Sequence, residues 1–129
     1  MTPKQLQRLS RISWFEIPAT DLDRATRFYE TILQTSLKRG RFGNEELSVF
    51  PYEAPAVSGC LIAAPNAKTT GEGVAVFLNA DPSLDAVLAR VPEAGGSVIQ
   101  GRTELGGDMG CFARIVDSEG NGIGLHAVS

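Results

Sequence analysis

The chain has 129 residues, of which 43% are hydrophobic and 21% charged, and its formal net charge is −3. These values are typical of a single globular domain with one core, and they exclude wholesale disorder. The acidic balance argues against a nucleic-acid partner, because proteins that bind the phosphate backbone carry a basic surface.

The first ten residues, Met1 to Ser10, form a polar leader for which both disorder and a packed arm remain open. They lack the apolar stretch and the cleavage site of a signal peptide, and no apolar run approaches the roughly 18 residues of a membrane span. Cys60 and Cys111 lie in strand-like contexts without CxxC spacing, so we expect buried free thiols in a reducing compartment, with a disulfide as the alternative. We therefore expect a cytoplasmic protein with no membrane segment.

The first half, about residues 11–64, reads as a strand, a helix and three further strands. A strand is predicted over Ile12–Ile17, and the helix follows Thr20-Asp21, where Thr20 with Asp23 fits a capping box. The apolar stripe of the helix consists of Leu22, Ala25, Tyr29 and Ile32. The three extended segments that follow are Leu37–Phe42, Leu47–Pro51 and Gly59–Ala63.

A polar connector at 65–72 leads to the second half, about residues 73–127, which has the same order of elements. Its first strand is predicted over Val74–Asn79, and its helix follows Ser83 and ends at Gly95-Gly96. The apolar stripe of this helix consists of Leu84, Val87, Leu88 and Val91. The remaining strands are predicted at Ser97–Arg102, Cys111–Val116 and Gly122–Ala127, with a glycine-rich hairpin loop before the second of them.

The two helices match at a constant offset, since Leu22 to Leu84 and Ala25 to Val87 are both 62 positions apart (84 − 22 and 87 − 25). The repeat predicts an α+β fold of two tandem βαβββ modules, which form a curved mixed sheet around a cup. A cup of this kind is a natural place for a small ligand. A ferredoxin-like α+β sandwich without a functional cup is the alternative.

The opening Ile12-Ser13-Trp14-Phe15-Glu16-Ile17-Pro18, followed by Asp21-Leu22-Asp23-Arg24-Ala25 and Phe28-Tyr29, resembles that of glyoxalase/bleomycin-resistance/dioxygenase proteins of the vicinal oxygen chelate superfamily. Glu93-Ala94-Gly95-Gly96 and the segment Asp117–His126 resemble the second helix end and the closing hairpin. The resemblance implies one domain over 11–127 and often a homodimer. It specifies the fold more than the function, because this superfamily holds isomerases, lyases, dioxygenases, thiol transferases and sequestering proteins.

The resemblance also implies where a divalent metal would be held, by His, Gln or Glu on the first and last strands of each module. Those four positions are here Trp14, Ile62, Val76 and Gly124. None of these side chains can bind a metal. We therefore expect no metal and no other cofactor, while a divalent metal at a relocated site is not excluded.

Two ionisable residues share strand faces with these positions, because side chains alternate along a strand. Glu16 shares the face of Trp14, and His126 shares the face of Gly124. One interpretation makes Glu16 and His126 a catalytic acid/base pair. The other, which we favour, is a hydrogen-bonded carboxylate at the rim and a histidine at a module or dimer contact.

The candidate ligand-binding residues are Trp14, Ile62, Val76, Phe112, Arg114 and Gly124. Trp14 suits stacking against a planar ligand, and filling of a collapsed cup is its equal alternative. Phe112 and Arg114 line the cup if their faces point inward.

We predict a small-molecule-binding protein that has lost the usual four-ligand metal site. The alternative is a lyase, isomerase or dioxygenase-type enzyme that uses a relocated metal or Glu16/His126 chemistry. A structural domain with a vestigial cup is the third hypothesis. The expected partners are a small-molecule ligand and a second copy of the chain, with neither nucleic acid nor membrane.

Overall fold

A computed structural model describes the backbone of residues 1–129 and the side chains of residues 1–5 and 9–129. The leader contains a short helix, α1 (Pro3–Leu9). Thr2 and Gln5 cap its start reciprocally: the backbone N–H of Gln5 donates to Thr2 Oγ1 at 3.1 Å, and that of Thr2 donates to Gln5 Oε1 at 2.7 Å. The segment at 3–9 is therefore helical.

The first module contains four strands and one helix. Its elements are β1 (Phe15–Ala19), α2 (Leu22–Leu33), β2 (Lys38–Phe42), β3 (Glu45–Val49) and β4 (Gly59–Ala63). The strands lie in the order β1-β4-β3-β2, with β1 parallel to β4 and the other neighbours antiparallel.

The second module repeats this plan. Its elements are β5 (Phe77–Asn79), α3 (Leu84–Ala94), β6 (Ser97–Glu104), β7 (Cys111–Val116) and β8 (Gly122–Ala127). The strands lie in the order β5-β8-β7-β6, with β5 parallel to β8. The α+β class and the two tandem modules are thus confirmed, and the eight strands are divided between two four-stranded mixed sheets.

Each helix begins at a capping side chain. Ser83 caps α3 as predicted, because its Oγ accepts from the backbone N–H of Ala86 at 3.2 Å. The capping box at Thr20 was wrong: Asp21 caps α2 by accepting from the backbone N–H of Arg24 at 3.0 Å. The predicted end of α3 is confirmed, since Gly95 is left-handed with φ 105°.

The core lies between the helices and one face of each sheet, which we call the helix face. Its largest fully buried side chains come from both modules: Phe28, Tyr29, Ile32, Leu61, Leu84, Val91, Ile115 and Leu125. Both cysteines are buried and free, as predicted. We call the opposite side of each sheet the open face, because neither α2 nor α3 packs against it.

The first strand of each module begins later than predicted. The structure has β1 at Phe15–Ala19 and β5 at Phe77–Asn79. These two strands, β1 and β5, also depart from the offset of 62 that relates the helices. Buried Ile17 corresponds to buried Leu78, a separation of 61 (78 − 17). The second module therefore has one additional residue between its first strand and its helix.

The modules are joined by the turn between β7 and β8, residues Asp117 to Asn121, which we call the joint turn. The phenol of Tyr29 in α2 donates to Asp117 Oδ2 at 2.6 Å, where both residues are buried. Asn121 Nδ2 donates to the carbonyl oxygen of Pro18 in β1 at 2.8 Å. Helices α2 and α3 also contact each other, and Arg90 Nη1 donates to the carbonyl oxygen of Ile32 at 3.0 Å.

The carboxylate of Glu119 is the centre of this joint, and its side chain is fully buried. It accepts from Arg24 Nε at 2.7 Å, from Thr20 Oγ1 at 2.8 Å and from the backbone N–H of Asp21 at 2.8 Å. Burial alone would raise the pKa of Glu119, but the hydrogen bonds, led by that from Arg24, hold the pKa at about 2. Glu119 is therefore ionised at neutral pH.

No helix in the described part of the chain is long and apolar enough to cross a membrane.

Candidate functional site

A cavity of about 280 Å³ lies on the open face of the first module, and we call it the module-one cavity. Alternation along β1 and β4 places Glu16 and Ile62 on the face opposite the buried Ile17 and Leu61. The residues that line the cavity are Trp14, Glu16, Phe42, Glu45, Leu47 and Ile62. Three predicted site residues, Trp14, Glu16 and Ile62, are thus brought together, whereas Phe42, Glu45 and Leu47 were missed.

The indole of Trp14 stands at the edge of this cavity, with 39% of the residue exposed. Its ring meets that of Tyr52 edge to face, with centroids 6.4 Å apart and an interplanar angle of 77°. A second cavity of about 210 Å³ lies on this side of Trp14, lined also by Ser13, Tyr52, Ala56, Val57 and Ser58. Trp14 is therefore an aromatic wall shared by two cavities, and it is absent from the hydrophobic core cluster.

The module-one cavity carries negative charge. Neither Glu16 nor Glu45 takes part in an ion pair among the described side chains, whereas the adjacent Glu46 pairs with Arg41 at 2.9 Å on the helix face. Cys60 lies beneath, on the open face of β4. Burial raises the pKa of the Cys60 thiol, the charges of Glu16 and Glu45 raise it further, and a hydrogen bond from Trp14 acts against them. Cys60 is thus a protonated thiol rather than a reactive thiolate.

The open face of the second module carries an aromatic pair and a cation. Phe77 and Phe112 meet edge to face, with ring centroids 6.0 Å apart, and the Arg114 guanidinium carbon lies 5.4 Å from the centroid of Phe77. Gly124 is paired with Phe77 across β5 and β8, and a Cβ at this position would meet the Phe77 ring. The predicted residues Phe112, Arg114 and Gly124 are therefore neighbours, and the group is completed by Phe77.

Phe77 was missed because the repeat offset of 62 was carried through the inner strands. With the observed offset of 61, Phe77 corresponds to Glu16 and lies on the open face. Val76, the predicted site residue, is half-buried and packs against the core cluster. Phe77 is 45% exposed, as expected for a side chain on the open face.

His126 lies on the open face of β8 and pairs with Asn79 and Phe112 in the neighbouring strands. Its Nε2 is 2.7 Å from the carbonyl oxygen of Met109, in the loop between β6 and β7. Glu16 lies in the other sheet, and no hydrogen bond joins Glu16 to His126 among the described residues. The structure therefore does not bring these two residues together as a hydrogen-bonded pair.

Two further cavities lie between the modules, where β1 and β5 are the inner edges of their sheets. One of about 220 Å³, the seam cavity, is lined by residues that include Glu16, Pro18, Lys68, Val76 and Asn121. The other, of about 400 Å³, lies at the opposite end of these strands. It is lined by Phe15, Leu33, Thr35, Phe50, Pro51, Val57, Ser58, Phe77, Leu78 and Asn79, none of which is charged.

The four positions at which the family resemblance implies metal ligands do not fit a metal. The indole of Trp14, the branched alkyl side chain of Ile62 and the bare Cα of Gly124 supply no imidazole nitrogen or carboxylate oxygen. Neither does predicted Val76, nor Ala75, which corresponds to Trp14 at the observed offset of 61. In the part of the chain whose side chains are described, no three His, Cys, Asp or Glu residues are grouped so that they could hold a metal ion.

Comparison with known families decides the classification. Residues 11–125 match the family described as the Glyoxalase/Bleomycin resistance protein/Dioxygenase superfamily. The chain belongs to this superfamily. No curated protein sequence matches it.

Solved structures share the fold at low sequence identity. A hypothetical protein from S. aureus is 19% identical with a TM-score of 0.65, over 95% of this chain and 98% of that one. The fosfomycin resistance protein FosX of Listeria monocytogenes is 16% identical with a TM-score of 0.64, over 92% and 91% of the two chains. A glyoxalase I mutant from Zea mays is 18% identical with a TM-score of 0.64, and 89% of this chain matches only 45% of that protein. The chain thus spans about half of that enzyme's length.

Proposed function

We propose that this superfamily member binds a small, flat, amphipathic molecule in the module-one cavity, and that it does so without the four-ligand metal site. The observation that carries the proposal is the juxtaposition of Trp14 and Ile62 in one cavity. Both stand where the family resemblance implies metal ligands, and both offer apolar surface instead. The positions at which the family resemblance implies metal ligands thus carry side chains suited to stacking against a flat apolar molecule.

The size of the cavity supports a ligand with one or two fused rings. Its volume of about 280 Å³ lies just below the roughly 300–1,000 Å³ of typical drug-sized sites. The apolar side chains of Trp14, Phe42, Leu47 and Ile62 supply most of the wall, and two carboxylates supply the polar groups. Such a composition suits reversible binding, because the apolar surface provides affinity and the few polar groups fix orientation.

Fluorescence of Trp14 provides the direct test, since Trp14 is the only tryptophan in the chain. Titration with a panel of planar one-ring and two-ring compounds is expected to give saturable quenching by at least one of them. The Ile62→Ala variant should weaken that binding several-fold, because it removes apolar contact surface. The matched control is Val98→Ala, an exposed apolar residue on β6 outside the cavities described above, which should bind normally. The absence of saturable quenching by any compound would contradict the proposal.

Metal content tests the second half of the proposal. Protein purified without chelators is expected to contain far less than one equivalent of zinc, nickel, iron or manganese per chain. Removal of trace metal with a chelator should leave ligand affinity unchanged. Stoichiometric metal whose removal abolishes binding would instead support a relocated metal site and a lyase, isomerase or dioxygenase-type activity.

We also propose that the protein forms a homodimer, as is frequent in this superfamily. Several large apolar side chains support this proposal because they are exposed in the single chain; they include Ile12, Tyr52, Phe77, Ile99, Leu105 and Met109. Sedimentation analysis is expected to give twice the 13.7 kDa mass of the chain at micromolar concentration. A species of 13.7 kDa at all concentrations tested would contradict the dimer and leave the binding proposal standing.

A further inference from the structure

The two carboxylates of the module-one cavity point to the charge of its ligand. Building on the proposed binding function, we infer that the ligand is a small organic cation with a flat apolar body, such as a quaternary or protonated aromatic amine. Glu16 on β1 lines the cavity together with Trp14, which precedes that strand, and Glu45 is paired with Phe42 across β3 and β2. The cavity therefore has aromatic surface and negative charge on both sides.

Neither carboxylate has an ion-pair partner among the side chains of residues 1–5 and 9–129. The ion pairs among the described side chains engage Glu46, Glu104, Glu119, Asp23 and Asp85, and none of them reaches Glu16 or Glu45. Glu46 shows the contrast, since it follows Glu45 directly but faces the other side of the sheet, where it pairs with Arg41 at 2.9 Å. The negative charge of the cavity is thus left for a ligand.

Two lysines of the neighbouring surfaces lie outside this site. Lys38 shares the open face of β2 with Phe42 but is paired with Val49, at the other end of the hairpin. Lys68 lines the seam cavity, which Glu16 also borders, and forms no ion pair with Glu16. Neither lysine lines the module-one cavity.

Trp14 and Phe42 add a second attraction for a cation. The face of an aromatic ring is negative, so a cation above an indole or phenyl ring is stabilised beyond its apolar contacts. Trp14 is 39% exposed and Phe42 is 81% exposed, so both rings are accessible to a ligand from solvent. Combined with two carboxylates, these rings favour a cation over a neutral molecule of the same shape.

Equilibrium dialysis with three probes of one shape tests this inference. The probes are N-methylquinolinium, which is cationic, 1-methylnaphthalene, which is neutral, and 1-naphthoate, which is anionic. At low salt the cation is expected to bind at least about tenfold more tightly than the neutral probe, and the anion more weakly than either. The preference should diminish as salt is added, because the carboxylates are exposed to solvent.

The double variant Glu16→Gln/Glu45→Gln should reduce binding of the cation about tenfold and leave the neutral probe unaffected. Glu46→Gln is the matched control, since it removes one equal charge from the other face and should change neither affinity. Equal losses in Glu46→Gln and in the double variant would show a general effect of net charge and would overturn the inference.

The remaining outcomes separate this inference from the proposed function. Equal binding of cation and neutral probe, both lost in Trp14→Ala, would overturn the charge preference and support the binding site. Tightest binding of the anion would also overturn the charge preference. Failure of all three probes to bind would count against both.

Discussion

Gly124 illustrates how one missing side chain shapes the open face. The Phe77 ring lies across this position, where any Cβ would collide with it. The sequence alone indicated that Gly124 could hold no metal, but it gave no sign that an aromatic ring covers it. That contact depends on the register between β5 and β8, which is a tertiary property.

Substitution Gly124→Ala should therefore displace Phe77 and destabilise the protein. We expect a loss of about 1–3 kcal/mol in the free energy of unfolding, as is usual when a methyl group is forced into occupied space. Urea denaturation measures this loss. Gly40→Ala is the control, because Gly40 also lies in a strand but has no atom within 4 Å of its would-be Cβ. Similar stability of the two variants would contradict the packing of Phe77 described above.

His126 contacts the loop between β6 and β7. Its Nε2 is engaged with the carbonyl oxygen of Met109, so it serves the loop between β6 and β7 rather than Glu16. We expect His126→Gln to leave ligand affinity unchanged between pH 5 and 8, because a glutamine amide can donate to the same carbonyl. A large loss of affinity, or loss of a pH dependence that the natural chain shows, would return His126 to the candidate acid/base pair.

At the scale of elements, helices were predicted better than strands. Side-chain periodicity and capping residues identify a helix locally, and Ser83 and Gly95 bound α3 as the sequence indicated. The inner strands depend on partners that are distant in sequence, since β1 pairs with β4 and β5 with β8. Their limits were consequently displaced.

One additional residue explains the misplaced site residue. From Ile17 to Leu22 there are five steps, whereas from Leu78 to Leu84 there are six. A shift by one residue turns a strand over, so Val76 lies against the core where the open face was predicted. In the first module the helix and inner strand needed no such correction, and Trp14, Glu16 and Ile62 were placed together.

The side chain of Ser83 caps the start of α3. Ser83→Ala removes the hydroxyl that accepts from the backbone N–H of Ala86, and we expect a loss of about 1 kcal/mol in stability. Thermal unfolding followed by circular dichroism measures it. Ser83→Asp should retain most of the stability, because aspartate is also an effective cap and its charge is favourable at a helix start. If Ser83→Asp lost as much stability as Ser83→Ala, capping would not be the role of Ser83.

For the whole molecule, the joint turn holds the two modules together through a charge that no sequence motif had indicated. Glu119 is paired with Arg24, 95 residues away, and a separation of this kind leaves no local pattern to detect. The residues of the closing hairpin were recognised only as a family resemblance. Asp117, Glu119 and Asn121 of this hairpin proved to be buried. Every buried side-chain nitrogen or oxygen among the described residues has a hydrogen-bond partner.

The depressed pKa of Glu119 makes stability depend on pH in a defined direction. The pKa of Glu119 is about 2 in the folded protein and near its ordinary value of 4.5 in the unfolded chain, so the unfolded chain binds the proton more tightly. The contribution of Glu119 is complete above about pH 4.5 and is lost as pH falls toward 2. Glu119→Gln should cost about 2 kcal/mol at pH 7 and show a shallower loss of stability between pH 5 and 2.

Chemical denaturation at several pH values measures both effects. Glu46→Gln is the control, because the exposed pair of Glu46 with Arg41 contributes at most about 0.5–1 kcal/mol. Parallel stability curves for the natural chain and Glu119→Gln between pH 5 and 2 would show that Glu119 is not held ionised in the joint.

The additional residue before α3 also limits which residues could be transferred from one module to the aligned position of the other. Alignment on the helices sets Glu16 opposite Leu78, yet Glu16 meets solvent on the open face while Leu78 belongs to the buried interior. Recombination that copied this acidic codon into the aligned place of the other half would bury an unpaired carboxylate. The two modules are therefore not interchangeable at this position, although their helices align.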